Sequence, residues 1–216
     1  MDGRTAGITE HALLYALLVR EVFLELGEPA GMPVVKQMTE AYGNRRGRRM
    51  RENAERMGYG AGIDGWLLYG EWAGKPGENQ STLQVIDGET VSEVTKCAWC
   101  DAWKRHDLMQ YGKYYCVWID LALRDGFDGS FALRIEKRLS EEDALCRFCW
   151  SEPADLEQVV QIKAERKESF LLPFSFHCRE LKETALQVLR ECLSEERAAS
   201  IVAAAEQQLE AIGNPD

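Results

Sequence analysis

The stretch STLQVIDGETVSEVTK, Ser81 to Lys96, limits the possible folds more than any other part of the chain. Two short runs of strand-forming residues flank Asp87-Gly88, and a type I′ turn needs positive φ at both central positions, which this dipeptide suits. A β-hairpin is therefore predicted in the middle of a chain that is otherwise helical in pattern. From Thr9 to about Gly58, Leu13, Leu14, Leu17, Leu18 and Val22 form an apolar stripe, broken by Gly27, Pro29, Gly31 and Pro33. That pattern predicts a helical hairpin followed by an Arg-rich helix. Gly58, Gly60, Gly62 and Gly65 mark a change of regime, after which WLLYGEW also reads as a short strand.

Beyond Cys97 the period is helical again, from about Asp101 through Met109, with Gly112 as a break. A second helix, from about Lys113 to Arg124, is expected to end at Gly126 as an αL cap. FALRIEKRL alternates, with Phe131, Leu133 and Ile135 on one side, so it predicts a half-buried strand. SEED is the turn and ALCRFCW the returning strand. From Ala154 the chain is helical, with breaks near Pro173 and Ser194. The expected fold class is α+β: a small antiparallel sheet flanked by N-terminal and C-terminal helices. A single domain spanning 1–216 is expected, helical over 1–58, with the sheet and a two-helix core over 59–150 and a helical extension over 151–216. Arg20–Gly43 and Arg190–Gly213 align without a gap, a match that shared helical composition explains better than duplication.

Composition narrows the function. A chain of 216 residues, 45% hydrophobic, can bury one substantial core. Its net charge of -10 repels phosphate backbones and anionic lipid, so neither nucleic acid nor a membrane surface is expected as a partner. The amino-terminal MDGRTAGITEH has no basic segment followed by an apolar core, and no apolar run is long enough to span a bilayer. A soluble, cytoplasmic protein is expected, with a small-molecule partner and a possible homo-oligomeric state.

Seven cysteines, an odd number in a chain with its own core, argue against a disulfide framework. Cys192, in a helical pattern, reads as a small buried hydrophobe. Cys97/Cys100 and Cys146/Cys149 share a spacing, but 45 residues separate Cys100 from Cys146, where zinc ribbons use about 15 to 20. On a strand, moreover, Cys146, Phe148 and Trp150 face one way while Arg147 and Cys149 face the other. Nor does CAWC have the βαβ surroundings of a thioredoxin-like pair. The informative cysteines are then Cys97, Cys116 and Cys146. Cys97 ends a strand and opens a helix, where unpaired N–H groups favour a thiolate and Lys96, Lys104 and Arg105 add positive charge. Cys116 and Asp120, four apart, share a helix face. Asp120 either serves a site there or caps a neighbouring turn.

CAWC, then YYCVWIDLALRDGF, then a strand, a turn and ALCRF together resemble the L-2-amino-thiazoline-4-carboxylic acid hydrolase family, related in fold to V4R small-molecule-binding domains. Cys97, Cys116, Asp120, Gly126-Phe127, Cys146 and Phe148 match that family's pattern over about residues 60–150. Ala98 replaces its usual proline, and Glu142-Asp143 stands where Gly-Asp is usual. The resemblance implies hydrolytic opening of a small nitrogen heterocycle, a cyclic amidine like 2-amino-thiazoline carboxylate, with attack on C–N bonds. On that reading Cys97 is the candidate nucleophile and Asp120 or His106 the acid/base. Cys116, Cys146, Trp99, Trp118 and Trp150 line the pocket. His106 serves equally well as an exposed helix residue. The alternative from the same resemblance is a non-catalytic V4R-type sensing module, in which Cys97, Cys116 and Cys146 either hold zinc or line a ligand pocket. Cys100 and Cys149 are expected to be dispensable in either case. NRRGRRMR, Asn44 to Arg51, reads first as a solvated helix face paired with Glu40, Glu52 and Glu55, and second as a clamp for a substrate carboxylate.

Overall fold

The structure is a computed structural model that describes residues 6–213, so the first five residues of MDGRTAGITEH lie outside the described residues. The chain is mixed α+β, as expected. Among the described residues it has eight α-helices and a four-stranded antiparallel sheet that falls, in sequence, between N-terminal and C-terminal helices. In chain order the elements are α1 (Ile8–Leu26), α2 (Glu28–Arg56), α3 (Ile63–Leu68), β1 (Gln80–Ile86), β2 (Glu89–Lys96), α4 (Ala98–Arg105), α5 (Met109–Phe127), β3 (Leu133–Lys137), β4 (Cys146–Trp150), α6 (Leu156–Glu165), α7 (Phe174–Cys192) and α8 (Glu195–Gly213). No helix among the described residues is long and apolar enough to cross a membrane. The chain divides into two compact units: Met1–Tyr42, Ala98–Ile119 and Pro173–Asp216 make the first, and Gly43–Cys97 with Asp120–Leu172 the second.

The first unit is all helix. Its centre is α1, where every residue from His11 to Val19 is buried, because an apolar run this dense leaves no face for water. Helices α4, α7 and α8 pack around it. Several polar groups caught inside are hydrogen-bonded, as burial favours. Thr39 gives its hydroxyl hydrogen to the Val35 carbonyl, so it must accept from the Tyr15 hydroxyl at 2.7 Å. Burial of that phenol raises its pKa well above the ordinary value. The Trp99 indole donates to His11 Nδ1 at 3.2 Å, which leaves the neutral ring's hydrogen on Nε2, 3.0 Å from the Tyr42 hydroxyl. Trp103 donates to the Ala12 carbonyl at 2.8 Å.

The second unit holds the sheet, in the order β1-β2-β4-β3, every pair antiparallel. Asp87 and Gly88 both have positive φ, 52° and 82°, as the predicted turn demands. Leu133 and Trp150 sit opposite each other and join Met50 and Ala54 of α2, Leu123 and Phe127 of α5, Leu68 of α3 and Val159 of α6 in one core. On the other face, Val91 and Cys149 are covered by ion pairs, Arg134 with Glu89 and Arg147 with Glu93 and Glu136.

Several sequence expectations need correction. WLLYGEW is not a strand: its first residues are in α3, whose single apolar face packs into the second core. The N-terminal region is two helices rather than three, because the chain turns only at Gly27 (φ 74°) and Pro33 is taken inside α2 near its start. Gly112 does not break a helix. It lies inside α5, where a Cβ would fall 2.2 Å from the Trp103 ring. Gly126 is likewise helical, and Asp128 (φ 53°) takes the left-handed position after it. Cys192 is exposed at the end of α7. The match of Arg20–Gly43 with Arg190–Gly213 needs no correction: the two segments break their helices at different places, at Gly27 and at Leu193, in line with shared composition.

Gly126 belongs to a close helix crossing. A Cβ on Gly47 of α2 would lie 2.1 Å from the Leu123 carbonyl oxygen and 2.5 Å from the Phe127 nitrogen, and one on Gly126 would lie 2.3 Å from the Asn44 oxygen. Backbone meets backbone here, and backbone cannot swing aside. Helix propensity alone would make Gly47→Ala stabilising by about 1 kcal/mol. The overlap reverses the sign, and a net loss of about 3 kcal/mol or more is expected. Urea midpoints should show it, with Gly60→Ala, where nothing lies within 4 Å of the added carbon, staying within about 0.5 kcal/mol of the parent.

Candidate functional site

The second unit gathers polar groups at one end of its sheet. Cys146 opens β4 and pairs with Val94, three residues before Cys97, so both cysteines belong to the end where β2 stops. The β3–β4 connection lies at the same end. It runs through Arg138, a short 3-10 turn at Leu139–Glu141, and Glu142, whose left-handed φ of 68° completes the reversal. Asp143 accepts from the Arg138 nitrogen at 2.7 Å, and the Leu139 nitrogen points at the Cys146 sulfur at 3.3 Å. Ser140 in this turn is buried, yet its hydroxyl has no hydrogen-bond partner among the described residues. An unpartnered buried hydroxyl costs about 1–3 kcal/mol, so a molecule bonding there would gain in full.

Asp120 of α5 feels this turn and α2 together. The residue is half-buried, but its carboxyl is enclosed, and that burial pushes its pKa up to about 6 from an ordinary 3.8, with Arg46 and then Arg138 pulling the other way. Arg46 is held in turn by Glu71. The Glu71 carboxylate is 1% exposed and accepts from Arg46 Nε at 3.4 Å and from Arg49 at 2.6 and 3.0 Å. Its backbone oxygen accepts from Leu172 at 2.7 Å. Arg46 is therefore not part of a solvated face, as its sequence context suggests: a buried carboxylate from the segment after α3 takes it inside. Arg51 follows the expected pattern, bonding Glu55 four residues on, and it also donates to the carbonyls of Phe127 and Asp128. Arg46, Arg49 and Arg138 thus face the carboxyls of Glu71 and Asp120, and Arg138 is also paired with Glu141.

The remaining sequence-derived residues fall as follows. Trp150 lies in the second core, stacked on Phe148. Trp99 lies in the first unit's core, near-parallel to Tyr115 and bonded to His11. Trp118 stacks on Tyr114, Cys116 lies half-buried near Tyr15, and His106 follows α4 half-buried; all three belong to the first unit. Cys149 is buried on the sheet face opposite Cys146, its thiol pKa raised by burial and by Glu136 against the pull of Arg147. Among the described residues no three His, Cys, Asp or Glu side chains come together as a metal site. Sequence reasoning missed Arg138, Ser140 and Glu71. Of these only Glu71 carried a signal, as an acid between Gly70 and Trp72 in an otherwise apolar run.

Asp120 makes the fold's stability pH-dependent in a definite sense. Its folded pKa, about 6, lies above the ordinary 3.8, so the unfolded chain loses this proton first and stability falls as pH rises between those values. Asp120→Asn keeps the neutral shape at every pH. Its stability relative to the parent should therefore rise by about 2–3 kcal/mol between pH 4 and 7. Urea titrations at both pH values check this, and an unchanged difference would reject the enclosed carboxyl.

Comparison with known proteins agrees with the cysteine and aspartate pattern. The family model described as L-2-amino-thiazoline-4-carboxylic acid hydrolase matches residues 7–150, which include Cys97, Cys116, Asp120 and Cys146. No curated protein and no solved structure gives a significant match. With two thirds of its length inside that match, the chain belongs to the L-2-amino-thiazoline-4-carboxylic acid hydrolase family, whose name implies a hydrolase.

Proposed function

We propose that this chain hydrolyses a small, carboxylate-bearing cyclic amidine and opens its ring, with Asp120 as the acid/base. The observation that carries the reading is the Asp120 carboxyl, raised to about 6 beside Arg46 and Arg138. An acid near its pKa at working pH can both give and take a proton, and the guanidinium groups suit the substrate's carboxylate. In this mechanism the Cys97 sulfur adds to the amidine carbon. The bond from that carbon to a ring heteroatom breaks, and the departing atom takes the proton that Asp120 delivers. Water then adds to the same carbon, giving a proton back to Asp120, and the sulfur leaves. One water is consumed and the enzyme is restored. Ser140 offers a hydrogen bond to the bound ring, and Cys146 lies at the same end of the sheet.

Incubation with 2-amino-thiazoline-4-carboxylate, followed by mass spectrometry, tests the reading and shows whether a C–N or a C–S bond is cut. Asp120→Asn should lower kcat by about 10²-fold or more, Cys97→Ser should abolish turnover, and Cys149→Ser should leave it unchanged. The kcat/KM profile should bend near pH 6. Saturable binding of this compound without any product would instead favour the second reading, a V4R-type sensing module. Neither binding nor turnover would reject both.

A further inference from the structure

Strand β1 is one of the two edges of the sheet, with β2 as its only neighbour among the described strands. Its residues Gln80–Val85 are all exposed, so neither face is covered, and Leu83 and Val85 leave 39% and 42% of their surface in water. Open edges invite pairing with another chain, and proteins usually blunt them with charge, proline or a bulge. Here the sequence QSTLQVI contains no charged residue and no proline, although 29% of the chain is charged and the other three strands carry Glu89, Glu93, Lys96, Arg134, Glu136, Lys137 and Arg147. The single irregularity, between Gln80 and Ser81, leaves the rest of the edge regular.

We propose that two copies of this chain pair antiparallel through β1, joining their sheets into one continuous eight-stranded sheet. The sequence is suited to meeting itself. About a two-fold axis at Leu83, the middle residue, Leu83 meets its own copy, Ser81 meets Val85 and Thr82 meets Gln84. Every such pair is uncharged, which matters in a protein of net charge -10 whose copies otherwise repel. At one end Lys96 of β2 lies opposite Gln80, its ammonium donating to the Gly77 carbonyl, and Asp87 turns the chain at the other. Antiparallel pairing brings each copy's Lys96 toward the other's Asp87. Parallel pairing would set like charges together instead.

One strand pair is a small interface, so the dimer should be weak, dissociating in the range of about 10–100 µM. Sedimentation velocity of the full chain across that range should show a monomer passing to a dimer. Leu83→Lys places two like charges at the axis and should give a monomer at every concentration, and Val85→Lys should act in the same way. Because both side chains are exposed, circular dichroism and urea midpoints should match the parent. Asp87→Asn keeps a residue suited to the turn but removes the end charge, and should weaken the dimer a few-fold at low salt. A parent chain that stays monomeric throughout, or a dimer that both lysine variants leave intact, would overturn the proposal.

Discussion

Two helix backbones can touch only where neither carries a side chain at the crossing, and α2 and α5 touch at Gly47 and Gly126. That approach sets the geometry of the second unit. Met50 and Ala54 follow on α2, Leu123 and Phe127 flank the crossing on α5, and together they form the layer beneath Leu133 and Trp150 of the sheet. The same contact bears on the chemistry. Arg46 adjoins Gly47, and Asp120 precedes Leu123 by one turn, so the crossing that packs the core also brings this guanidinium within electrostatic reach of this carboxyl. Methyl groups at the two glycines would force the helices apart, and the coupling of Arg46 to Asp120 would weaken as the core loosened.

Glu71 completes the arrangement. A carboxylate 1% exposed is tolerable only when its charge is met, and Arg46 and Arg49 meet it with three hydrogen bonds. In return Arg46 is held still within electrostatic reach of Asp120. Arg138 reaches the same carboxyl from the β3–β4 turn, whose backbone is pinned by Asp143 and whose Leu139 nitrogen faces Cys146. Charge neutralisation in the interior comes from this one set of side chains.

The first unit handles buried polarity differently, with a directional thread in place of ion pairs. An indole nitrogen can only donate, so Trp99 fixes His11 as acceptor on Nδ1 and donor on Nε2, and the Tyr42 hydroxyl, 3.5 Å from His177 Nδ1, can pass the sense onward. Trp99 therefore has a structural duty whatever else it lines. Aromatic composition alone carried no sign of that duty, because a tryptophan that closes a pocket and one that orients a buried imidazole look alike in sequence.

What the sequence determined by itself is whatever depends on a few neighbouring residues. The Asp87-Gly88 turn, the alternation of β3, the breaks at Pro173 and Ser194, and the opposed faces of Cys146 and Cys149 all follow from local φ preferences and side-chain periodicity. The placing of Cys116 and Asp120 on one helix is likewise a short-range spacing. Tertiary structure decided the rest. Gly112 and Gly126 resembled helix breakers because a glycine's local cost is visible in sequence, while the Trp103 ring and the Asn44 backbone that require them come from distant segments. WLLYGEW resembled a strand because seven residues of mixed apolar pattern do not distinguish the two periods, and only the core beneath selected the helix for its first residues. Arg46 resembled a solvated arginine because the carboxylate that draws it inside lies 25 positions away, and the acidity of Asp120 was invisible because burial belongs to the packed chain and not to any stretch of it.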